Sequence, residues 1–123
     1  MGGKMTQEES AFMVNTQFVS GGRKYDTDKL RYDLIPVEAE RSLAEVYTYG
    51  AGKYDDRNWE KGIAFNRIYA AIRRHLALFW SGEDLDEESG LPHLSHVAWG
   101  CMALETYRKR GMIQFDNRPN KVN

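Results

Sequence analysis

The sequence predicts an all-α protein of three principal helices joined by short helical turns. Three segments repeat apolar residues at steps of three and four, which is the spacing of one helix face. No stretch alternates apolar and polar residues as a half-buried strand does. Three helices form a small core for a chain of 123 residues, so we expect a dimer or tetramer to complete it.

The first two helices are predicted from their apolar period and from the residues at their ends. The first covers residues 37–54, because Pro36 suits a helix start and Gly50 and Gly52 would end or distort the helix. The second covers residues 64–82, and the glycine at its last position supplies a C-terminal stop.

The third helix follows a strongly acidic loop, "EDLDEESG". Ser89 or Gly90 can cap it, Pro92 suits its first turn, and it is expected to run to about Arg110. In the loop between the first two helices, Trp59 is expected to pack into the core.

Three regions are expected along the chain. Residues 1–22 lack a sustained apolar period and predict a flexible N-terminal arm or a partner-bound segment. Residues 23–111 form the all-α domain, and residues 112–123 are expected to be a polar, loosely held C-terminal tail.

Composition excludes several classes of function. The net charge of −1 and a pI near 6.3 provide no basic field for nucleic acid. No apolar run approaches the roughly 18 residues of a membrane span, and the start is too polar for a signal peptide. The single cysteine, Cys101, is expected to be buried on a helix and fits a reducing compartment. We therefore expect a cytoplasmic protein with no membrane or nucleic-acid partner.

The three histidines are the first candidate site. His93 and His96 are three apart on one helix, and His75 lies on the helix before the acidic loop, which contains Glu83 and Asp86. Imidazole with carboxylate suits a divalent ion such as Mn, Zn, Fe or Co. The alternative is that each histidine is a neutral, hydrogen-bonded core residue.

Cationic side chains form the second candidate group, because arginine forks and lysine point charges both match phosphate oxygens. The predicted phosphate contacts are Lys29, Arg31, Lys53 and Arg74, and the alternative for each is pairing with nearby acids. No Walker-type loop is present, since "YGAGKY" lacks the required spacing and the final Ser/Thr. Several aromatic residues could stack on a base, although most are expected in the core.

Three motifs in order, "DKLRYDLIP", "YGAGKY…NWEKG" and "RHLALFWSGEDLDEESGLPHLSHVAW", resemble a phage and prophage family. That family is the N-terminal domain of dATP/dGTP diphosphohydrolase, and the resemblance covers roughly residues 24–107. It is linked to the all-α, MazG-like nucleoside triphosphate pyrophosphohydrolases. The resemblance implies hydrolysis of a purine deoxynucleoside triphosphate to monophosphate and pyrophosphate by a helical oligomer with divalent metals, in the host cytoplasm.

The leading hypothesis is therefore a metal-dependent purine dNTP pyrophosphohydrolase in phage nucleotide-pool control. The expected cofactor is Mn or Mg, followed by Zn, Fe or Co. The metal ligands are expected to be His75, Asp86, His93 and His96. Glu83 or Glu45 is expected to position the attacking water or accept its proton.

Two alternatives remain. MazG-like enzymes carry a Glu-x-x-Glu pair and a later Glu-x-x-Asp pair, whereas this chain has Glu38-x-x-Arg41 and His93-x-x-His96. A non-catalytic nucleotide-binding protein, such as a phage sponge for a signalling nucleotide or a regulatory subunit, would need neither pair. In a purely structural module, histidines and acids would only join subunits.

Overall fold

The computed structural model describes residues 21–122 and confirms the all-α prediction. Its helices are α1 (Val37–Lys53), α2 (Phe65–Trp80) and α3 (His93–Lys109), with 3-10 turns at Tyr32–Leu34, Asn58–Lys61 and Ile113–Phe115. The described part contains no strand, only an isolated antiparallel bridge between Leu85 and Pro92. Each predicted helix is present, with its ends shifted by three residues or fewer from the expected positions.

The chain divides into two units, Met1–Tyr32 and Asp33–Asn123. The described part of the first unit contains a turn in which the N–H of Lys29 donates to the carbonyl of Asp26 over 2.9 Å. Most of the predicted N-terminal arm lies outside the described residues. The domain boundaries at 22 and 111 stay predictions.

The start of α1 follows the prediction, and its end at Lys53 lies one residue before the expected end. Pro36 caps the helix with a φ of −61°, which is close to the value that its ring imposes. Gly50 and Gly52 do not end the helix, which continues to Lys53. The N–H of Tyr54 donates to the carbonyl of Gly50 over 2.9 Å, so the last turn stays hydrogen-bonded despite the weak helix propensity of glycine.

The core lies between α2 and α3. Phe65 and Ile68 on α2 pack against Ala103 and Tyr107 on α3, and all four are buried. Gly100 lets the two helices approach closely, because a Cβ there would lie 2.6 Å from Cγ1 of Ile72. α1 packs on α3 and buries Val46. This antiparallel α2–α3 pair sets the histidines of the two helices opposite each other.

The C-terminal segment packs on this core, so the expectation of a loosely held tail is wrong for Met112 and Phe115. Asn117 also accepts a hydrogen bond from the backbone N–H of Asn66 over 3.0 Å. The prediction for Trp59 is confirmed, since it packs against the same cluster. Apolar contacts therefore hold Met112 and Phe115 on the core, although the segment is polar on average.

The outer surface of the helices carries many apolar side chains. Cys101 is exposed, which contradicts the expected burial, because its face of α3 meets no other described element. Trp80 at the end of α2 is 88% exposed. Within residues 21–122 no helix is long and apolar enough to cross a membrane.

Candidate functional site

The three histidines converge where α2 and α3 come together. The Nδ1 atoms of His75 and His93 lie 2.8 Å apart, a hydrogen-bond distance. The rings of His75 and His96 are stacked, with centroids 4.6 Å apart and planes inclined by 6°. The i, i+3 spacing on α3 and the close approach of α2 produce this cluster.

The loop between α2 and α3 folds back beneath the cluster. The N–H of Asp86 donates to the carbonyl of Leu91 over 2.8 Å, and the N–H of Gly90 donates to the carbonyl of Asp86 over 2.7 Å. Gly90 has a φ of +72°, a left-handed conformation that glycine adopts at little cost. This tight turn carries three polar side chains, those of Glu83, Asp86 and Ser89, to the histidines.

His93 is the most enclosed member of the cluster. It is 0% exposed, and its Nε2 lies 2.7 Å from Oε2 of Glu83. Its other nitrogen faces His75, so protein groups occupy both of its hydrogen-bonding positions. Buried polar groups are normally paired in this way.

Asp86 is held by Ser89, which donates to Oδ2 from both its backbone N–H and its hydroxyl, each over 2.9 Å. Burial alone would raise the pKa of Asp86, but these hydrogen bonds and the nearby His96 and His75 outweigh it and lower the pKa. The Ser89 hydroxyl oxygen also lies 2.7 Å from Nε2 of His96. Asp86 is therefore an ionised carboxylate within the cluster at neutral pH.

Burial lowers the pKa values of His75 and His96 below the ordinary histidine value. Both rings are thus neutral near pH 7, the state in which imidazole binds a metal. One atom from each of His75, Asp86 and His93 can be chosen so that all three lie within 4.8 Å of one another. Nitrogen and carboxylate donors at this spacing fit a borderline divalent ion in type and number.

A groove of about 1010 Å³ opens beside the cluster, near the upper end of the range for small-molecule sites. Its polar lining includes Lys53, Arg74, His75, Asp86, Glu88 and His96. Its apolar wall contains Tyr47, Trp59 and Trp99, whose ring centroids lie 5.8–6.5 Å apart. Cations, candidate metal ligands and aromatic faces therefore share one groove.

A second polar contact joins the loop to α1 at the exposed side of the groove. The Lys53 ammonium and the Tyr49 hydroxyl both donate to Oε2 of Glu88, the hydroxyl over 3.1 Å. The hydrogen bond from Lys53 is the main reason that the pKa of Glu88 is lowered. The edge of the Tyr49 ring also faces His96, with centroids 6.4 Å apart.

Five of the ten sequence-predicted site residues line the groove, and His93 contacts one of them, His75. The five are Lys53, Arg74, His75, Asp86 and His96. Glu83 contacts His93 and does not line the groove. Glu45 lines a separate depression of about 530 Å³ with Arg41 and Thr48. Lys29 and Arg31 belong to the first unit. The predicted roles of all ten residues stay predictions.

Sequence reasoning missed two residues that organise the site, Ser89 as the partner of Asp86 and Glu88 as the partner of Lys53. The sequence did indicate that Tyr49 and Lys53 share a helix face, because they are four residues apart. It did not indicate that the loop would bring Glu88 back to that face.

Comparison with known proteins bears on this site directly. Residues 19–118 match the family model described as dATP/dGTP diphosphohydrolase, N-terminal. This range includes the histidine cluster and the groove. The chain belongs to this family. It is also 35% identical over 83 residues to a protein of Salmonella phage PMBT28 named dATP/dGTP diphosphohydrolase. That match covers 68% of this chain and 28% of the relative. No solved structure matches.

These matches confirm the resemblance to the dATP/dGTP diphosphohydrolase N-terminal family that the sequence motifs indicated. His93 and the five predicted residues that line the groove all lie within the matched range. The chain spans 28% of its phage relative, so the activity in that relative's name describes a longer protein.

Proposed function

We propose that this chain binds a purine deoxynucleoside triphosphate in the groove and hydrolyses it to the monophosphate and pyrophosphate. The name of the phage relative supports the reaction class and the purine preference. The observation that carries the proposal is the groove, which combines phosphate-binding cations with histidine and carboxylate donors. Nucleotide-pool control during phage growth in the host cytoplasm is the setting we propose.

A divalent metal is part of this proposal. His75, Asp86 and His96 would hold it, because neutral imidazoles and an ionised carboxylate are suitable ligands. We propose Mn or Mg first, then Zn, Fe or Co. The chemistry that such an ion supplies when bound is polarisation of a phosphoryl oxygen and a lower pKa for an attacking water.

The residues of the chain would bind and orient the substrate. Arg74 and Lys53 neutralise phosphate charge, which also stabilises the charge that develops as the phosphoryl group is transferred. The wall of Tyr47, Trp59 and Trp99 stacks on the base, a contact worth roughly 1–3 kcal/mol. Water adds to the α-phosphorus while the bond to the bridging oxygen breaks. Pyrophosphate then leaves, and the proton of the water passes to solvent.

We further propose that the working unit is a dimer or tetramer. Trp80 and Leu76 on α2 are exposed apolar residues, and Leu94 and Met102 on α3 are exposed as well. Exposed large apolar side chains on a small domain support an interface between subunits. Light scattering on the purified chain measures the state directly, and a monomer at micromolar concentration would contradict this part.

The test of the function is product analysis. The purified protein is incubated with each of the eight common NTPs and dNTPs, with Mg²⁺, Mn²⁺ or EDTA, and the products are resolved by chromatography. We expect dAMP or dGMP with pyrophosphate, and no turnover in EDTA. Asp86→Asn should lower the rate by at least the roughly 10–100-fold that loss of a group supporting a metal costs.

The matched control is Asp84→Asn, which makes the same change in the same loop. The side chain of Asp84 does not line the groove, and only its backbone carbonyl contacts His93. If Asp84→Asn and Asp86→Asn lost activity equally, Asp86 would have no special role. Intact nucleotide in every reaction would contradict hydrolysis by this chain.

One observation favours a second candidate, a nucleotide-binding protein without turnover. Neither predicted proton acceptor lines the groove, since Glu83 is engaged by His93 and Glu45 lies in another depression. In this case one nucleotide at 100 times its dissociation constant would raise the free energy of unfolding by about 2.7 kcal/mol. A thermal shift with one nucleotide and no product would select this candidate.

A further inference from the structure

We propose that Glu83, His93 and His75 form a hydrogen-bonded relay that fixes the tautomer of His75 and leaves its Nε2 as the ligand atom for the groove. In this arrangement His93 is a positioning residue and not a metal ligand. The purpose of the relay rests on the proposed function, whereas its geometry does not. Its contacts link Glu83 of the loop to His93 of α3, and His93 to His75 of α2.

The relay begins at Glu83, because a carboxylate can only accept a hydrogen bond. Its Oε2 lies 2.7 Å from Nε2 of His93, so that nitrogen must carry the hydrogen. His93 is fully buried, and a buried position accommodates a neutral ring at lower cost than a charged one. A neutral ring with its hydrogen on Nε2 has a lone pair on Nδ1.

The second step transfers this constraint to α2. Nδ1 of His93 lies 2.8 Å from Nδ1 of His75, and two lone pairs at that distance would repel. His75 must therefore donate from Nδ1, which leaves the lone pair on its Nε2. That Nε2 has no hydrogen-bond partner among residues 21–122, and His75 lines the groove. The bare nitrogen is therefore available to a ligand there.

Ser89 fixes the neighbouring groups by the same reasoning. Its single hydroxyl hydrogen is donated to Oδ2 of Asp86, so Nε2 of His96 carries the hydrogen that joins it to the Ser89 oxygen. The parallel stacking of His96 on His75 holds both ring planes. Oδ1 of Asp86 has no hydrogen-bond partner in the described part of the chain. The groove therefore receives three free donor atoms from the described residues: Nε2 of His75, Nδ1 of His96 and Oδ1 of Asp86.

This arrangement has the usual organisation of a metal-binding histidine. Such a histidine commonly donates its second ring N–H to another group, which sets its tautomer and makes the bound nitrogen a better ligand. Here the group is a second histidine that is itself oriented by a carboxylate. The ligand class that fits is a divalent ion accepting mixed nitrogen and oxygen donors.

The test is the tautomeric state of each histidine, measured by long-range ¹H–¹⁵N correlation on the ¹⁵N-labelled, metal-free chain near pH 8. We expect the hydrogen of His93 on Nε2 and that of His75 on Nδ1. A hydrogen on Nε2 of His75, or a doubly protonated His93, would overturn the relay. The measurement uses neither nucleotide nor metal, so a failure to hydrolyse dNTPs leaves its result intact.

Variants separate a relay from simple support of the loop. Glu83→Ala should give mixed tautomers at His93 and His75, and Glu83→Gln should restore the native pair because its amide carbonyl can still accept from His93. Glu87→Ala, an exposed carboxylate of the same loop, is the matched control. Unchanged tautomers in Glu83→Ala would overturn the relay. If that variant failed to fold, the native chain would still decide the tautomers.

Metal affinity gives a second readout. Mn²⁺ binding to the chain, followed by electron paramagnetic resonance, should weaken roughly 10–100-fold in Glu83→Ala. His75→Ala should bind more weakly still. Equal Mn²⁺ affinity in the native chain, Glu83→Ala and His75→Ala would overturn the assignment of Nε2 as a ligand.

Discussion

The two ends of the α2–α3 loop make similar polar contacts in different surroundings. At each end a carboxylate of the α2–α3 loop pairs with a nitrogen on a helix, Glu83 with His93 and Glu88 with Lys53. In the first pair His93 is 0% exposed and Glu83 is 47% exposed, whereas in the second the Lys53 and Glu88 side chains are 41% and 64% exposed. Water can replace either partner of the exposed pair but cannot reach His93. The buried contact is therefore suited to hold geometry, and the exposed one to exchange with a ligand.

The energetic consequence follows from burial. An exposed ion pair contributes little, because its attraction is screened and its side chains lose freedom on pairing. Removing one partner of a buried hydrogen bond leaves the other unsatisfied, which costs about 1–3 kcal/mol. Substitutions at the two ends should therefore differ in kind, with stability changed at one end and ligand affinity at the other.

The largest effect is expected for His93→Ala. The change leaves a cavity and removes the partner of both Glu83 and His75, so the free energy of unfolding should fall by about 2–4 kcal/mol. Urea denaturation followed by circular dichroism measures it. Lys53→Ala serves as the comparison and should lose much less, because solvent screens an exposed ion pair. Equal losses in the two variants would remove the distinction between the ends.

The fold was largely predictable because helical periodicity is a local property of the chain. The apolar spacing in α1, α2 and α3 predicted all three helices, and the spacing of His93 and His96 predicted a shared face. Periodicity does not reveal what covers a face. Cys101 was therefore wrongly placed in the core, since no described element packs over it.

The site was only partly predictable, since its remaining geometry depends on a loop. The left-handed turn at Gly90 and the bridge between Leu85 and Pro92 direct Glu83 toward His93 and Glu88 toward Lys53. In the sequence, Glu83 and Glu88 are simply two glutamates of the same acidic loop. Only the path of the backbone distinguishes the acceptor of a buried histidine from the partner of an exposed lysine.

An intermediate effect is expected for Lys53→Met, which keeps the length of the side chain and removes its charge. If Lys53 binds phosphate, loss of its charge-assisted hydrogen bond should weaken nucleotide affinity at least tenfold. Isothermal titration calorimetry with a non-hydrolysable α,β-methylene analogue of dATP or dGTP measures this, with metal present. Lys109→Met, at the far end of α3, is the matched control. Native affinity in Lys53→Met would show that the exposed end is not part of the nucleotide site.

The smallest effect is expected for Glu88→Gln, and its sign is more informative than its size. Glu88 accepts hydrogen bonds from Lys53 and Tyr49. If Lys53 binds a phosphate oxygen, the charge of Glu88 would compete with the substrate. Glutamine keeps the shape and can still accept from Tyr49, and stability should change little because the pair is exposed. Nucleotide affinity should rise a few-fold, as measured in the same titration. Glu87→Gln changes the adjacent exposed carboxylate and controls for loss of negative charge in the loop. A weaker affinity in Glu88→Gln alone would mean that Glu88 orients Lys53 for the ligand, as Glu83 orients His93, and the two ends would then work alike.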